Sequence, residues 1–157
     1  MHYSDISLKE VVTMLKRFIT NTLCSFLTLI LMSFIFTFAG FSIIELFKSF
    51  AGIVMVLVFS ALLFLGYFIG TKLHYAKGMG FVSIVLLPII VFAVLFALSI
   101  VGVPVISMLI QYPAAVWGEA FNARVTDNSV LFYGVAFVHY LICSLSLFFG
   151  AYKKTRI

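Results

Sequence analysis

The sequence predicts an all-α membrane protein with four transmembrane helices, and three observations predict it. The chain is 64% hydrophobic and only 10% charged, against roughly 45–50% apolar and about 25% charged residues in a soluble domain. Its apolar residues gather in four runs, each long enough for the roughly 20 residues that a spanning helix needs. Its cationic residues gather at alternate ends of those runs. A fold so poor in charge carries more apolar surface than water tolerates, and lipid is the solvent that accepts it. No run shows the strict polar–apolar alternation of a membrane β-strand, which argues against a barrel. The 157 residues form one integral membrane domain, 1–157, with approximate spans 18–41, 50–71, 81–101 and 129–151 and an outer interfacial segment 103–125.

Ahead of the first span the pattern is that of an amphipathic lead-in helix. Ser7 and Glu10 have the S-x-x-E spacing of a capping box, with Ile6 and Val11 placed as its hydrophobic staple. Leu8, Val11, Val12, Leu15, Phe18 and Ile19 fall on one face by i, i+3, i+4 spacing, and Lys9, Thr13, Lys16 and Arg17 take the other. Such a helix is expected to lie on the cytoplasmic headgroups and then turn into the first span. A cleaved signal peptide is the competing reading, but the apolar stretch Phe18–Phe36 exceeds the usual h-region of about 7–15 residues.

The first span has a mildly polar cytoplasmic half: Thr20, Asn21, Thr22, Ser25 and Thr28. These groups bond back to their own helix or a neighbour, or line a shallow cavity. Glu45 and Lys48 close the outer turn as an exposed pair. The second span carries Gly66 and Gly70, the G-x-x-x-G spacing that lets two helices approach closely, either inside the bundle or with a partner. Ala93 with Ala97, and Ser146 with Gly150, repeat that small-residue spacing more weakly. His74, Tyr75, Gly78 and Gly80 make a headgroup-level inner turn.

The third apolar run, Phe81–Tyr112, is 32 residues and too long for one untilted span. Pro88 should kink it by freeing the carbonyl four residues back. Gly102, Val103 and Pro104 should end it near Val101. The apolar piece Val105–Tyr112 is then too short to cross and is either interfacial or re-entrant. Pro113 suits the first turn of a following interfacial helix anchored by Trp117 and Phe121, with Glu119 toward water. Asp127, Asn128 and Ser129 offer N-caps for the fourth span.

Orientation follows from the basic residues. Lys9, Lys16, Arg17, Lys72, Lys77, Lys153, Lys154 and Arg156, eight of the ten, share one side, and Lys48 and Arg124 take the other. The expectation is a cell-membrane protein with both termini cytoplasmic.

His139 is the sharpest chemical candidate, because it lies near the centre of the fourth span and intramembrane ionisable groups are functional hypotheses by default. Cys143 follows one turn later on the same face. By depth, Thr28 of the first span and Ser60 of the second are the level polar positions that would complete an intramembrane site. The alternative is a neutral imidazole serving as packing glue between helices.

No HExxH, GxSxG, P-loop or GxGxxG motif is present, and neither the two cysteines nor the histidines have metal spacing. The sequence therefore predicts no cofactor, no metal and no catalytic set. The excess of basic residues flanks apolar segments, so the partner is the bilayer rather than nucleic acid. The leading functional expectation is a non-catalytic subunit or an accessory, immunity-like component that binds a membrane partner, or a second copy, helix to helix. One alternative is a small transporter or channel element built on His139 and a broken segment around Pro104–Pro113. A second is an intramembrane lipid-modifying enzyme using His139 with Cys143.

Overall fold

Among the described residues, five α-helices follow one another. The computed structural model describes residues 8–73, 80–100, 104–122 and 129–154, and every described residue outside short turns is helical. Helix α1 spans Leu8–Phe47, α2 Ala51–Gly70, α3 Leu87–Ile100, α4 Pro104–Ala120 and α5 Ser129–Lys154. Two continuous helical stretches are long and apolar enough to cross a membrane, Leu8–Gly70 (α1, a tight turn and α2) and Val130–Lys153, while Val82–Leu98 is shorter.

Helix α1 is one unbroken rod of 40 residues. Nothing in its first 32 positions interrupts it, since its first glycine is Gly40 and it has no proline. The expected turn between the lead-in and the first span is therefore absent: residues 8–20 continue the same helix, and none of them is buried. The buried face begins at Asn21 and runs through Ser25, Thr28, Leu29, Met32, Ser33, Phe36, Thr37 and Gly40, the i, i+3, i+4 stripe of a helix with one face in a bundle. At the far end Lys48 takes a positive φ of 29°, and the 3₁₀ turn Lys48–Phe50 reverses the chain into α2.

Cross-helix neighbours give the directions. Gly40 lies by Met55, Phe36 by Phe59, and Met32 by Gly66, so α1 and α2 are antiparallel. Phe59 meets His139, Gly66 meets Ser146, and Gly70 meets Leu147, so α2 and α5 run parallel. Phe96 packs on Tyr133, Phe92 on Tyr140 and Phe81 on Phe148, so α3 opposes α5. The core between them holds Leu29, Met32, Phe36, Met55, Leu62, Ile84, Val85, Cys143 and Leu147. The outward faces are just as apolar: Phe38, Leu57, Phe64, Val94 and Phe149 are all exposed. Helices apolar on every side are those of a membrane span or of the core of a much larger protein, which points to membrane association.

Both internal prolines behave differently from the simple expectation. Pro88 is preceded by a π-helical turn, Val82–Leu86, in which the Leu87 N–H bonds to the Val82 carbonyl. The carbonyl that Pro88 cannot serve is that of Ile84, and the Ser144 hydroxyl of α5 donates to it at 3.0 Å. The chain thus answers the lost bond with a widened turn and a cross-helix donor. Pro113 does not begin an interfacial helix. It sits buried inside α4, whose first residue is Pro104, where a missing N–H costs nothing. An interior proline costs roughly 3 kcal/mol, and packing of Pro113, Ala114 and Val116 in the bundle offsets it.

Helix α4 lies across the turn end of the α1–α2 hairpin. Tyr112 meets Phe41, Val116 fills the space above Gly40, and Phe121 covers Gly52. Asn122, with φ 50°, ends it, its N–H bonding to the Glu119 carbonyl at 3.1 Å, as Asn commonly does at a helix C-terminus. The capping box at Ser7, the turn at His74–Met79, the Gly102–Val103 break and the caps Asp127 and Asn128 lie outside the described residues.

Candidate functional site

His139 is the centre of a box of rings to which four helices each contribute one. Ten residues into α5, about 15 Å along its axis, the imidazole is 2% exposed. Phe36 of α1 stands 4.8 Å away and Phe59 of α2 stands 4.9 Å away, centroid to centroid. Trp117 of α4 packs on both, at 4.9 Å from Phe36 and 5.3 Å from Phe59. Its indole Nε1–H donates to His139 Nδ1 at 3.3 Å. Tyr140 adds an edge contact at 5.5 Å.

That hydrogen bond sets the tautomer. An indole nitrogen only donates, so the Nδ1 it meets must present its lone pair. The proton of the neutral ring is therefore on Nε2. Nε2 is buried and has no hydrogen-bond partner among the described residues. A buried donor left unpaired is destabilising by about 1–3 kcal/mol, and such groups in folded proteins call for an explanation.

The other polar positions singled out from sequence do not gather around this ring. Thr28 is buried, but its hydroxyl turns back to the Cys24 carbonyl at 2.7 Å. Ser60 is exposed on the outer face of α2 and bonds to the Val56 carbonyl at 2.8 Å. Thr22 likewise bonds to the Phe18 carbonyl at 3.0 Å. Cys143 is a free, buried thiol one turn below His139. Ser25, fully buried toward the basic end of α1, has no partner for its hydroxyl among the described residues. No group of three or more His, Cys, Asp or Glu side chains among the described residues is placed to hold a metal.

Gly66 and Gly70 face α5. A Cβ on Gly70 would overlap the Leu147 carbonyl, and one on Gly150 would overlap the Tyr67 carbonyl, so only hydrogen at both positions permits the observed approach. Ser146, whose hydroxyl lies against Gly66, completes the seam and donates to the Cys143 carbonyl at 2.7 Å. Ala93 and Ala97 are exposed on α3. Of the three anchors, Glu119 and Phe121 are exposed, whereas Trp117 turns inward to His139.

Sequence reasoning missed Phe36 and Phe59, which are two among 19 phenylalanines with no local mark. It also separated Trp117 from His139. One signal was present: a buried indole N–H needs an acceptor, and this is the chain's single tryptophan.

Fold and site together define a small, all-helical, outwardly apolar bundle organised around an aromatic-boxed histidine. No family model, curated protein or solved structure matches the chain.

Proposed function

We propose that the chain is a four-pass membrane protein of the cell membrane that acts without catalysis, as an accessory subunit binding a membrane partner through the first turns of α1. Its spans are α1, α2, α3 with its preceding π turn, and α5. The alternating helix directions and the eight-to-two division of basic residues support this topology, with both termini cytoplasmic.

The observation that carries the binding role is the continuity of α1. At 1.5 Å per residue, 40 residues extend about 60 Å, twice the roughly 30 Å of a hydrocarbon core. Tilting absorbs part of the excess, and residues 8–20 remain as a rod beyond the bundle. Leu8, Val11, Val12, Leu15 and Ile19 form an exposed apolar face on that rod. A helix that runs on into the first span without a break does not turn to lay this face flat on the headgroups, and a second protein surface covers it. The glycine seam is not available for the purpose, because α2 and α5 consume it internally.

Site-specific photo-crosslinking tests the proposal. A photoreactive residue at Leu15 should give a defined protein adduct, and one at Phe64, exposed on the lipid-facing side of α2 in this topology, should give lipid adducts only. Lipid adducts alone at both positions, together with a strict monomer in gentle detergent, would overturn the binding role. Reporters fused to the two ends and found on opposite faces would overturn the topology. Solute flux through proteoliposomes abolished by His139→Ala would favour the transporter reading instead.

A further inference from the structure

The geometry points to a binding site, in the groove between α2, α4 and α5, for a neutral, lipid-soluble ring carbonyl of the quinone type, held by a hydrogen bond from His139 Nε2–H. The groove is an open-sided cavity of about 730 Å³, lined by Phe59, Trp117, Gly134, Val135, Val138 and His139 among others. That volume lies within the roughly 300–1,000 Å³ of small-molecule sites. Gly134 is exposed on the open side of the groove, and a Cβ built on it would meet nothing within 4 Å.

Three features select the ligand class. Among the described residues the lining contains no charged side chain, which favours a neutral molecule over an anionic headgroup. The lining's polar group without a partner among the described residues is a donor, because Trp117 already fixes Nδ1 as the acceptor. The missing partner is therefore an acceptor oxygen. Phe59 and Trp117 line it with aromatic rings, which favour a flat aromatic or quinonoid body over an acyl chain. In the structure Nε2 is covered, so the oxygen reaches it once the side chains over it move aside.

Trp117 is the only tryptophan and lines the groove, so its fluorescence reports occupancy directly. The full chain in phosphatidylcholine nanodiscs is titrated with dimethylnaphthoquinone, with dimethylnaphthalene as competitor. The expected result is saturable quenching that the oxygen-free ring displaces only weakly. Gly134→Leu fills the groove without touching the indole–imidazole bond, and His139→Phe removes the donor. Each should weaken binding by about tenfold or more, the worth of one hydrogen bond or of lost space. Linear quenching that is equal in all three proteins would mean partition into lipid and would overturn the site. Equal displacement by the oxygen-free ring would overturn the hydrogen bond. Neither outcome bears on the crosslink expected at Leu15, so this site and the proposed binding role fail separately.

Discussion

The two halves of the α2–α5 contact are built on opposite principles. Toward the basic end, Gly66, Gly70 and Gly150 bring two backbones so close that no side chain fits between them. Toward the turn end the same pair of helices is held apart by Phe59 and His139, with Trp117 wedged in from α4. One turn above His139, Gly134 faces open space. Glycine therefore means contrasting things on one helix: at position 150 it is the contact, and at position 134 it is the gap. The comparison separates a half whose small residues are spent on folding from a half that keeps room and an unpaired donor.

Substitution at the seam should have the largest effect. Gly150→Leu forces α5 off the Tyr67 carbonyl, and a loss of about 3 kcal/mol or more is expected, at or beyond the upper end of overpacking costs. Unfolding in a graded denaturing-detergent mixture reads it. Gly134→Leu in the same assay should stay within about 0.5 kcal/mol, as for surface positions. Equal losses at the two glycines would erase the distinction between the halves.

Next in size is the polar link between α3 and α5. Ser144→Ala leaves the Ile84 carbonyl without its donor, at a cost of about 1–3 kcal/mol. In a Pro88→Ala background a backbone N–H becomes available, and that cost should fall. A double-mutant cycle measures the difference, and additivity would mean that the serine does not answer the proline.

Trp117→Phe keeps an aromatic ring but withdraws the indole donor from His139 Nδ1. A loss of about 1 kcal/mol is expected, readable in the same detergent titration. The ring proton should also become free to exchange between the two nitrogens, which histidine-selective ¹⁵N spectra resolve. Unchanged Nδ1 and Nε2 shifts would dissolve the box as a tautomer-setting device.

The smallest effect belongs to Ser60→Ala. Its hydroxyl bonds its own helix on an exposed face, so stability should change by less than about 0.5 kcal/mol. A larger loss would place Ser60 in contacts that the bundle does not make.

Much of the fold was legible along the chain, and less of the site. The helical periods, the turn at Lys48 and the carbonyl orphaned by Pro88 all follow from residue types and spacing. His139 was visible because an ionisable group in an apolar run stands out against its neighbours. Thr28 and Ser60 share its expected depth, yet depth is a coordinate along an axis. Which way a side chain points around that axis depends on how the helices are rotated against one another.

What the sequence determined alone is the local and one-dimensional part: where helices form, which stretches demand an apolar surrounding, and how charge is divided between the ends. Backbone hydrogen bonding and transfer out of water act residue by residue, so the order of residues is enough to set them. Tertiary structure decided what depends on two surfaces meeting. It spent the glycine seam inside the bundle, drew Trp117 inward, ran α4 through Pro113, and left one nitrogen of His139 without a partner among the described residues. Packing is a property of pairs of faces, and neither face of a pair carries the information about which other face it will touch.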